Sequence, residues 1–338
     1  MFAGPDHQRP LRGGRSVPPQ HVKPSGPPPC VLLNPHAQGG RVARLWPVLQ
    51  RVLPALDPQA SLRSLDTPAE AARVIGALPA GTRVVAVGGD GTLHRWLPAL
   101  MTAQAELAVV PMGNGNDVAR ALGLVPLRTA EWVSGSTDTL VRRLAHALRA
   151  PARPIDLGRV EWTDADGQPQ VRPFISSLTV GFDSAVVRRT LDVPSGLRGL
   201  PRYLWATLGE LVHLRNWSLT VTADGSAVHQ GPALMASSLN TPTFGAGMPA
   251  APDARIDDGQ LDLLLAGRFG RLGALGMLPR LLTGTHRGHA RVQMLRYREL
   301  AISSPAPVPV AADGEWLGRT ARLRVVVQPA ALQAVRQG

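Results

Sequence analysis

The run Val84-Val85-Ala86-Val87 followed by Gly88-Gly89-Asp90-Gly91-Thr92 constrains this chain more than any other stretch. Four uninterrupted apolar residues read as a buried parallel strand. Beyond the glycines, Leu93, Trp96, Leu97, Leu100 and Met101 fall on one face of a helix. Three glycines in four residues allow a sharp turn and a close approach of backbone to ligand. The helix N-terminus adds unpaired N–H groups and the positive end of a dipole. Together these read as a phosphate cradle. Asp90 repels phosphates unless a cation or a bridging water stands between them, which points to metal-assisted phosphate chemistry.

The flanking sequence repeats the same strand-then-helix texture. Cys30–Asn34 is a short apolar strand, and Val42, Leu45, Trp46, Leu49, Val52 and Leu53 mark a helix face. Ser61–Leu65 is a candidate strand. Thr67 at N-cap, Pro68 at N1 and Glu70 at N3 form a capping box that opens a helix to about Leu78. Pro98 should kink or shorten the helix after the glycine loop. Leu107–Val110 is a further strand, leading into the loop Pro111–Asn116, a helix from Asp117 to about Leu122, and a last helix over Thr137–Arg149. Alternating strands and helices predict a parallel, doubly wound sheet. Ligands bind such sheets beyond the carboxyl ends of the strands, where both glycine loops lie, so the two loops can share a site.

From about Pro154 short apolar runs alternate with turn signals. Ile155–Trp162, Pro173–Val180, Trp217–Thr222, Ala233–Leu239, Leu261–Ala266, Glu299–Ser303 and Leu323–Val327 read as antiparallel strands, with Asp-Gly turns at Asp166, Asp224, Asp258 and Asp313. Helical inserts are expected near Leu200–Leu214 and Leu272–Leu282. The expected organisation is a disordered Pro/Gly-rich tail over 1–29, an α/β nucleotide-binding unit over 30–153, and a β domain over 154–338 whose extreme C-terminus returns to the first unit.

Composition narrows the function. The single cysteine, Cys30, excludes an internal disulfide framework. No run approaches the ~18 apolar residues a spanning helix requires, and the first thirty residues lack a signal-peptide core. The expected protein is therefore cytoplasmic and does not span the membrane. Its formal charge is +12, nearly all from arginine. Nucleic acid, an anionic lipid surface and no specific partner are three open readings of that charge. Aromatic residues are only 4% and are not interleaved with basic ones, which argues against stacking on bases.

Taken singly, the remaining motifs carry both structural and functional readings. Gly113, Asn114, Gly115 and Asn116 before a helix suit a nucleotide, while Asn116 or Asp117 serves equally as a helix cap. Asn34-Pro35 with Gly39-Gly40 reads as a turn or as a ligand contact. Asp258-Gly259 reads as a hairpin turn or as a hard-oxygen cation site. Asp313-Gly314-Glu315 reads as a turn or as a catalytic segment. His286 and His289 have no cysteine or carboxylate close in sequence to complete a zinc site.

The order of these motifs resembles the diacylglycerol kinase catalytic-domain family, specifically its soluble bacterial lipid kinases, which are similar to sphingosine kinases. The resemblance covers roughly Cys30 to Val327. It rests on the Asn34-Pro35 loop, the GGDGT at Gly88, the segment Pro111 to Arg120, and Val180-Gly181-Phe182-Asp183. It continues through Asn240, Pro252, Ala254 and Asp258-Gly259 to Asp313-Gly314-Glu315. The resemblance implies an α/β nucleotide domain like that of NAD kinases, a β-sandwich, and an active site in the cleft between them. It implies ATP as phosphoryl donor and Mg2+ as cofactor. ATP would be held by Gly88, Gly89, Asp90, Gly91, Thr92, Leu93 and His94, with Asn34, Gly113, Asn114, Asn116 and Asp117 beside it. A structural Mg2+ would sit on the Asp258 carboxylate and the carbonyls of Arg255 and Gln260. Glu315 would be the general base, with Asp313 and Asp90 as catalytic partners. The acceptor would be diacylglycerol or a related lipid alcohol, met by a peripheral protein at the inner face of an anionic membrane. A homodimer is left open. The chain departs from the family pattern at His94 and Arg95, where Asn-Glu is usual, and at Asn114, where Thr is usual. The rival readings are a non-catalytic nucleotide- or lipid-binding homologue and an NAD kinase. The lipid kinase reading requires carboxylates from distant stretches, Asp90 and Glu315 above all, to face one crevice.

Overall fold

A computed structural model describes residues 26–125, 137–193, 197, 200–245 and 247–337. The expected tail over 1–29 falls, up to residue 25, outside the described residues. The N-terminal half carries four parallel strands, β1 (Cys30–Leu33), β2 (Ser61–Ser64), β3 (Arg83–Gly88) and β4 (Glu106–Pro111), side by side in the order β4-β3-β1-β2. Among the described residues five α-helices accompany them: α1 (Trp46–Leu56), α2 (Pro68–Gly76), α3 (Asp90–Thr102), α4 (Asp117–Ala121) and α5 (Thr137–Arg149). The strands alternate between two cores. Leu32, Val84, Ala86 and Leu107 pack with Ile75 of α2 and Leu97 and Leu100 of α3. Val31, Leu33, Val85 and Val87 pack with Leu49 of α1 and Leu144 of α5 on the opposite face. This two-sided burial is why β3 is apolar throughout.

Local signals act as expected at α2. Thr67 Oγ1 accepts from Glu70 N at 3.1 Å, although Glu70 Oε2 returns to Asp66 N rather than to Thr67. Pro98 neither ends nor shortens α3, which continues to Thr102.

The C-terminal half is antiparallel: β5 (Ala152–Thr163), β6 (Pro169–Phe174), β7 (Ser177–Val180), β8 (Trp217–Ala223), β9 (Ser226–Leu239), β10 (Leu261–Gly267), β11 (Val292–Tyr297), β12 (Glu299–Ala312) and β13 (Glu315–Val335). Val160, Phe174, Leu263, Tyr297, Leu300 and Val325 are among its core side chains. Asp224-Gly225 and Asp313-Gly314 both have two consecutive positive φ angles, the geometry of the tight hairpin turns they make. The helices α7 (Leu200–Val212) and α8 (Arg271–Thr283) match the expected inserts. β11 and α6 (Phe182–Thr190) have no counterpart among the expected elements, and the expected strand Pro173–Val180 is divided between β6 and β7.

β13 ties the halves together. It pairs antiparallel with β12 and β5, and its end runs parallel to β4 through Gln333↔Glu106 and Ala334↔Leu107. No helix among the described residues is long and apolar enough to cross a membrane.

Candidate active site

The first wall of the site is built where two glycine loops cross. A Cβ on Gly89 would lie 2.5 Å from Gly113 Cα, and one on Gly113 would lie 2.6 Å from Gly89 Cα. Both residues are therefore glycine because two backbones touch. Asn116, held at φ 55°, closes the second loop by accepting from Gly113 N and donating to Gly113 O, each at 2.7 Å. Asn34 donates to Thr92 Oγ1 at 2.7 Å, fastening the end of β1 to α3. The amides of Thr92 and Leu93 turn back to the Gly89 carbonyl. Within the first turn of α3 this leaves Asp90 and Gly91 as the donors without an intrahelical acceptor. A side chain on Gly91 would meet only Glu315 Oε1, 4.0 Å away.

Asp90 caps a helix other than its own. Its two carboxylate oxygens accept from the amides of Asp117 and Val118, at 3.1 and 3.2 Å, at the start of α4. Burial, and then the nearby charge of Asp117, push its pKa up to about 6 against the opposing pull of those amides. Asp117 Oδ1 in turn accepts from Thr243 Oγ1 at 2.6 Å, bringing the loop after β9 to the same place.

The opposite wall comes from the β half. Asp313, at the β12–β13 turn, accepts from the amides of Ile175, Ser176 and Ser177 at 2.8–3.0 Å, and its Oδ2 lies 3.0 Å from His94 Nδ1. His94 and Asp313 are both shielded from solvent. This carboxylate accepts three backbone amides and so fastens β7 to the turn that carries it, with His94 of α3 alongside. Two residues on, Glu315 is partly exposed and pairs with Arg95 at 2.8 Å. Asp183, at the start of α6, is 3% exposed and accepts from Ser237 Oγ at 3.2 Å; burial pushes its pKa up to about 7.

Between the walls lies a cleft of about 600 Å³, and Asp90, Gly91, Asn114, Asp117, Asp313 and Glu315 all reach it. The other expected nucleotide residues shape it from behind. Gly88, Gly89, Gly113 and Asn116 pack the loop crossing, Asn34 and Thr92 brace each other, Leu93 sits in the core, and His94 holds Asp313. The sequence reading gave no role to Asp183, Arg95 or Tyr203, which also line the cleft. Asp183 stood inside a quoted motif, but only its burial against open space marks it. At Asp183 and Tyr203 the cleft meets a second, narrow apolar chamber of about 60 Å³ walled by Phe182, Leu234, Met248, Phe269 and Met277.

Arg255, Asp258 and Gln260 lie away from the cleft. Asp258 Oδ1 accepts from Gln260 N at 3.1 Å. Its Oδ2 is buried without a hydrogen-bond partner, with Arg296 Nη1 3.8 Å away. A buried carboxylate oxygen that lacks a hydrogen bond fits a hard cation completed by carbonyl oxygens, with the Arg296 guanidinium as its competitor. Among the described residues no cluster of three or more His, Cys, Asp or Glu side chains is arranged to hold a metal. His286 is buried with Nε2 on the Ala250 carbonyl, and His289 Nδ1 accepts from Arg291 N.

The fold and motifs have counterparts among known proteins. Residues 28–160 match the Diacylglycerol kinase catalytic domain, and residues 176–336 match the YegS C-terminal NAD kinase beta sandwich-like domain. A diacylglycerol kinase of Mycobacterium tuberculosis is 31% identical over 77% of this chain and 79% of its own length. A protein of Pseudomonas putida named "Probable lipid kinase YegS-like" is 32% identical over the same shares. Among solved structures, a diacylglycerol kinase from Bacillus anthracis superposes with a TM-score of 0.65 at 17% identity, covering 93% of this chain and 98% of that one. Yeast NADH kinase superposes at 0.51 and 10% identity, over 93% and 85%. The nucleotide-domain and β-sandwich architecture expected from the sequence is thus the observed one.

Proposed function

This chain belongs to the diacylglycerol kinase family of lipid kinases, and from that premise we propose that it transfers the γ-phosphate of ATP, with Mg2+, to a hydroxyl of diacylglycerol or a related lipid alcohol. The observation that carries the proposal is the junction at Asp183. There a polar cleft bearing Asp90, Gly91 and Glu315 meets an apolar chamber. A phosphate donor and a lipid alcohol need those two environments side by side.

In this reading the Asp90 and Gly91 amides and the dipole of α3 receive the phosphates. Asp90, whose pKa is raised by burial and then by the nearby charge of Asp117, would with Asp117 hold a divalent ion in the cleft. When bound, that ion supplies charge neutralisation. The Asp258 oxygen that lacks a hydrogen bond would hold a second, structural ion remote from the cleft once Arg296 gave way. Asp183 accepts a hydrogen bond from the acceptor head group and fixes its orientation. Glu315 takes the hydroxyl proton as the new oxygen–phosphorus bond forms and the bond from the γ-phosphorus to the β,γ-bridging oxygen breaks, with ADP leaving; general-base help of this kind is worth about 10²–10⁴ in rate. Arg95 must swing off Glu315 to free it and can then face the transferring phosphoryl group. Positioning and charge neutralisation carry most phosphoryl transfer, so this division of labour suffices.

The Arg95–Glu315 pair also favours a second reading, a nucleotide- or lipid-binding protein in which the pair stays closed and no transfer occurs. Labelled ATP, Mg2+ and diacylglycerol in mixed micelles distinguish the readings. Labelled phospholipid, reduced at least about 100-fold by Glu315→Gln with ATP binding retained, is the expected result. ATP binding without transfer to any lipid supports the second reading, and transfer to NAD in a parallel arm supports a nucleotide acceptor.

A further inference from the structure

Two helices of the β half are apolar on both sides, and only one side of each is covered. The inner faces of α7 and α8 supply Tyr203, Thr207, Ala274, Met277, Leu278 and Leu281 to the apolar chamber. The outer face of α7 exposes Leu204, Leu208 and Val212 in one i, i+4, i+8 row, with Trp205 beside it. The outer face of α8 exposes Leu272, Leu275 and Leu282, with Leu272 at 86%. Of the ten large apolar side chains exposed among the described residues, these are seven. A helix apolar all round calls for an apolar neighbour on each side.

The charge around this patch identifies the neighbour. From Leu263 to Arg298 the chain holds seven arginines and no acidic residue. Arg215, Arg268, Arg271 and Arg280 flank the two helices, and none has a side-chain ion pair among the described residues. Exposed apolar side chains with unpaired arginines on and next to the same helices, and an exposed Trp, match the boundary of an anionic bilayer. A protein partner burying that patch would have to answer the arginines with carboxylates. A second copy of this face presents arginines to arginines.

We propose that the outer face of α7 and α8 docks on an anionic lipid bilayer, seating the apolar chamber against the membrane so that an acyl chain passes between the helices while its head group reaches Asp183. The inference rests on the lipid kinase reading for the identity of the passing molecule. The docking itself is independent of any transfer.

Co-sedimentation of the full chain with large vesicles of phosphatidylcholine alone, or with 30 mol% phosphatidylglycerol, tests it. The expected result is binding to the anionic vesicles, at least tenfold weaker at about 0.5 M salt and at least tenfold weaker in L204E/L208E/L272E/L275E. Thermal melting checks that this variant, altered only at solvent-facing positions, is folded. R215Q/R268Q/R271Q/R280Q should lose the preference for anionic vesicles and its salt dependence. The leucine variant should also lose transfer to vesicle-borne diacylglycerol while retaining transfer to a short-chain diacylglycerol below its critical micelle concentration. Equal vesicle binding by wild type and the leucine variant, or none by wild type, overturns the docking surface. So does a wild-type dimer that the leucine substitutions dissociate, which would assign the face to a second copy. Vesicle binding as expected, with no transfer to either lipid form, leaves docking standing and removes the kinase reading.

Discussion

Asp313 and Glu315 stand two residues apart, and their surroundings assign them opposite duties. Asp313 satisfies three backbone amides and His94, so Asp313→Ala strands several buried donors. It should lower unfolding free energy by about 3 kcal/mol or more, whereas Glu315→Gln at a half-open position should stay within about 0.5 kcal/mol. Urea unfolding of the two variants measures the difference. The glycines divide in the same way. Gly89→Ala drives a methyl into Gly113 Cα and should cost about 1–3 kcal/mol or more. Gly91→Ala points only toward Glu315 and should leave stability nearly unchanged while slowing transfer from ATP, as parallel melts and assays would record. Asp183 gives the pH signature. Its folded pKa of about 7 lies above the ordinary carboxylate value, so the folded state holds the proton more tightly than the unfolded chain. The stabilisation is complete below about pH 4 and is lost as pH rises through about 7, each pH unit of that window being worth about 1.4 kcal/mol. Asp183→Asn should remove that decline, so that the wild-type and variant stability curves between pH 4 and 8 differ in slope.

At the scale of the element, capping decides where two of the helices begin, by different routes. α2 is capped from its own sequence, and Thr67→Ala should cost about 1 kcal/mol, read as a fall in the denaturation midpoint. α4 has no side-chain cap of its own and borrows the Asp90 carboxylate from the start of α3. A five-residue helix cannot persist alone, so the position of Asn114 in the cleft depends on a residue of the other loop. The two helices that roof the apolar chamber are stable for a third reason, burial of one face each, and their uncovered faces are the proposed membrane contact.

For the whole molecule, β13 is the coupling element. It leaves the turn that carries Asp313 and Glu315, crosses the β half beside β12 and β5, and ends beside β4 of the N-terminal half. Leu332, Ala334 and Val335 are buried in the two N-terminal cores. Ending the chain at Ala330 removes these contacts and should lower stability by about 2–5 kcal/mol. It should also broaden or split the calorimetric transition, because the cleft walls would no longer unfold together.

Local chemistry made much of this legible in the residues themselves. The unbroken apolar run of β3, the Thr67 cap, the Asp-Gly turns at Asp166, Asp224 and Asp313 and the strand–helix alternation each encode structure within a few residues, and the corresponding elements formed, whereas Asp258-Gly259 lies in the long connection from β9 to β10 and makes no hairpin. β11 and α6 escaped because Gln293 and Arg296 interrupt one apolar pattern and the other starts from Gly181 in a tight turn. The site was legible as a set of segments and not as a set of roles. Whether a glycine faces a ligand or another glycine, and whether a carboxylate is free, capping or saturated, depends on partners more than two hundred residues away in some cases. Those partners meet only when β13 and the loop crossing bring the halves together. The sequence by itself determined the elements and the residue types at the cleft; tertiary packing alone decided that Glu315 meets the cleft paired with Arg95 while Asp313 is locked among backbone amides, and that two helices keep an apolar face uncovered.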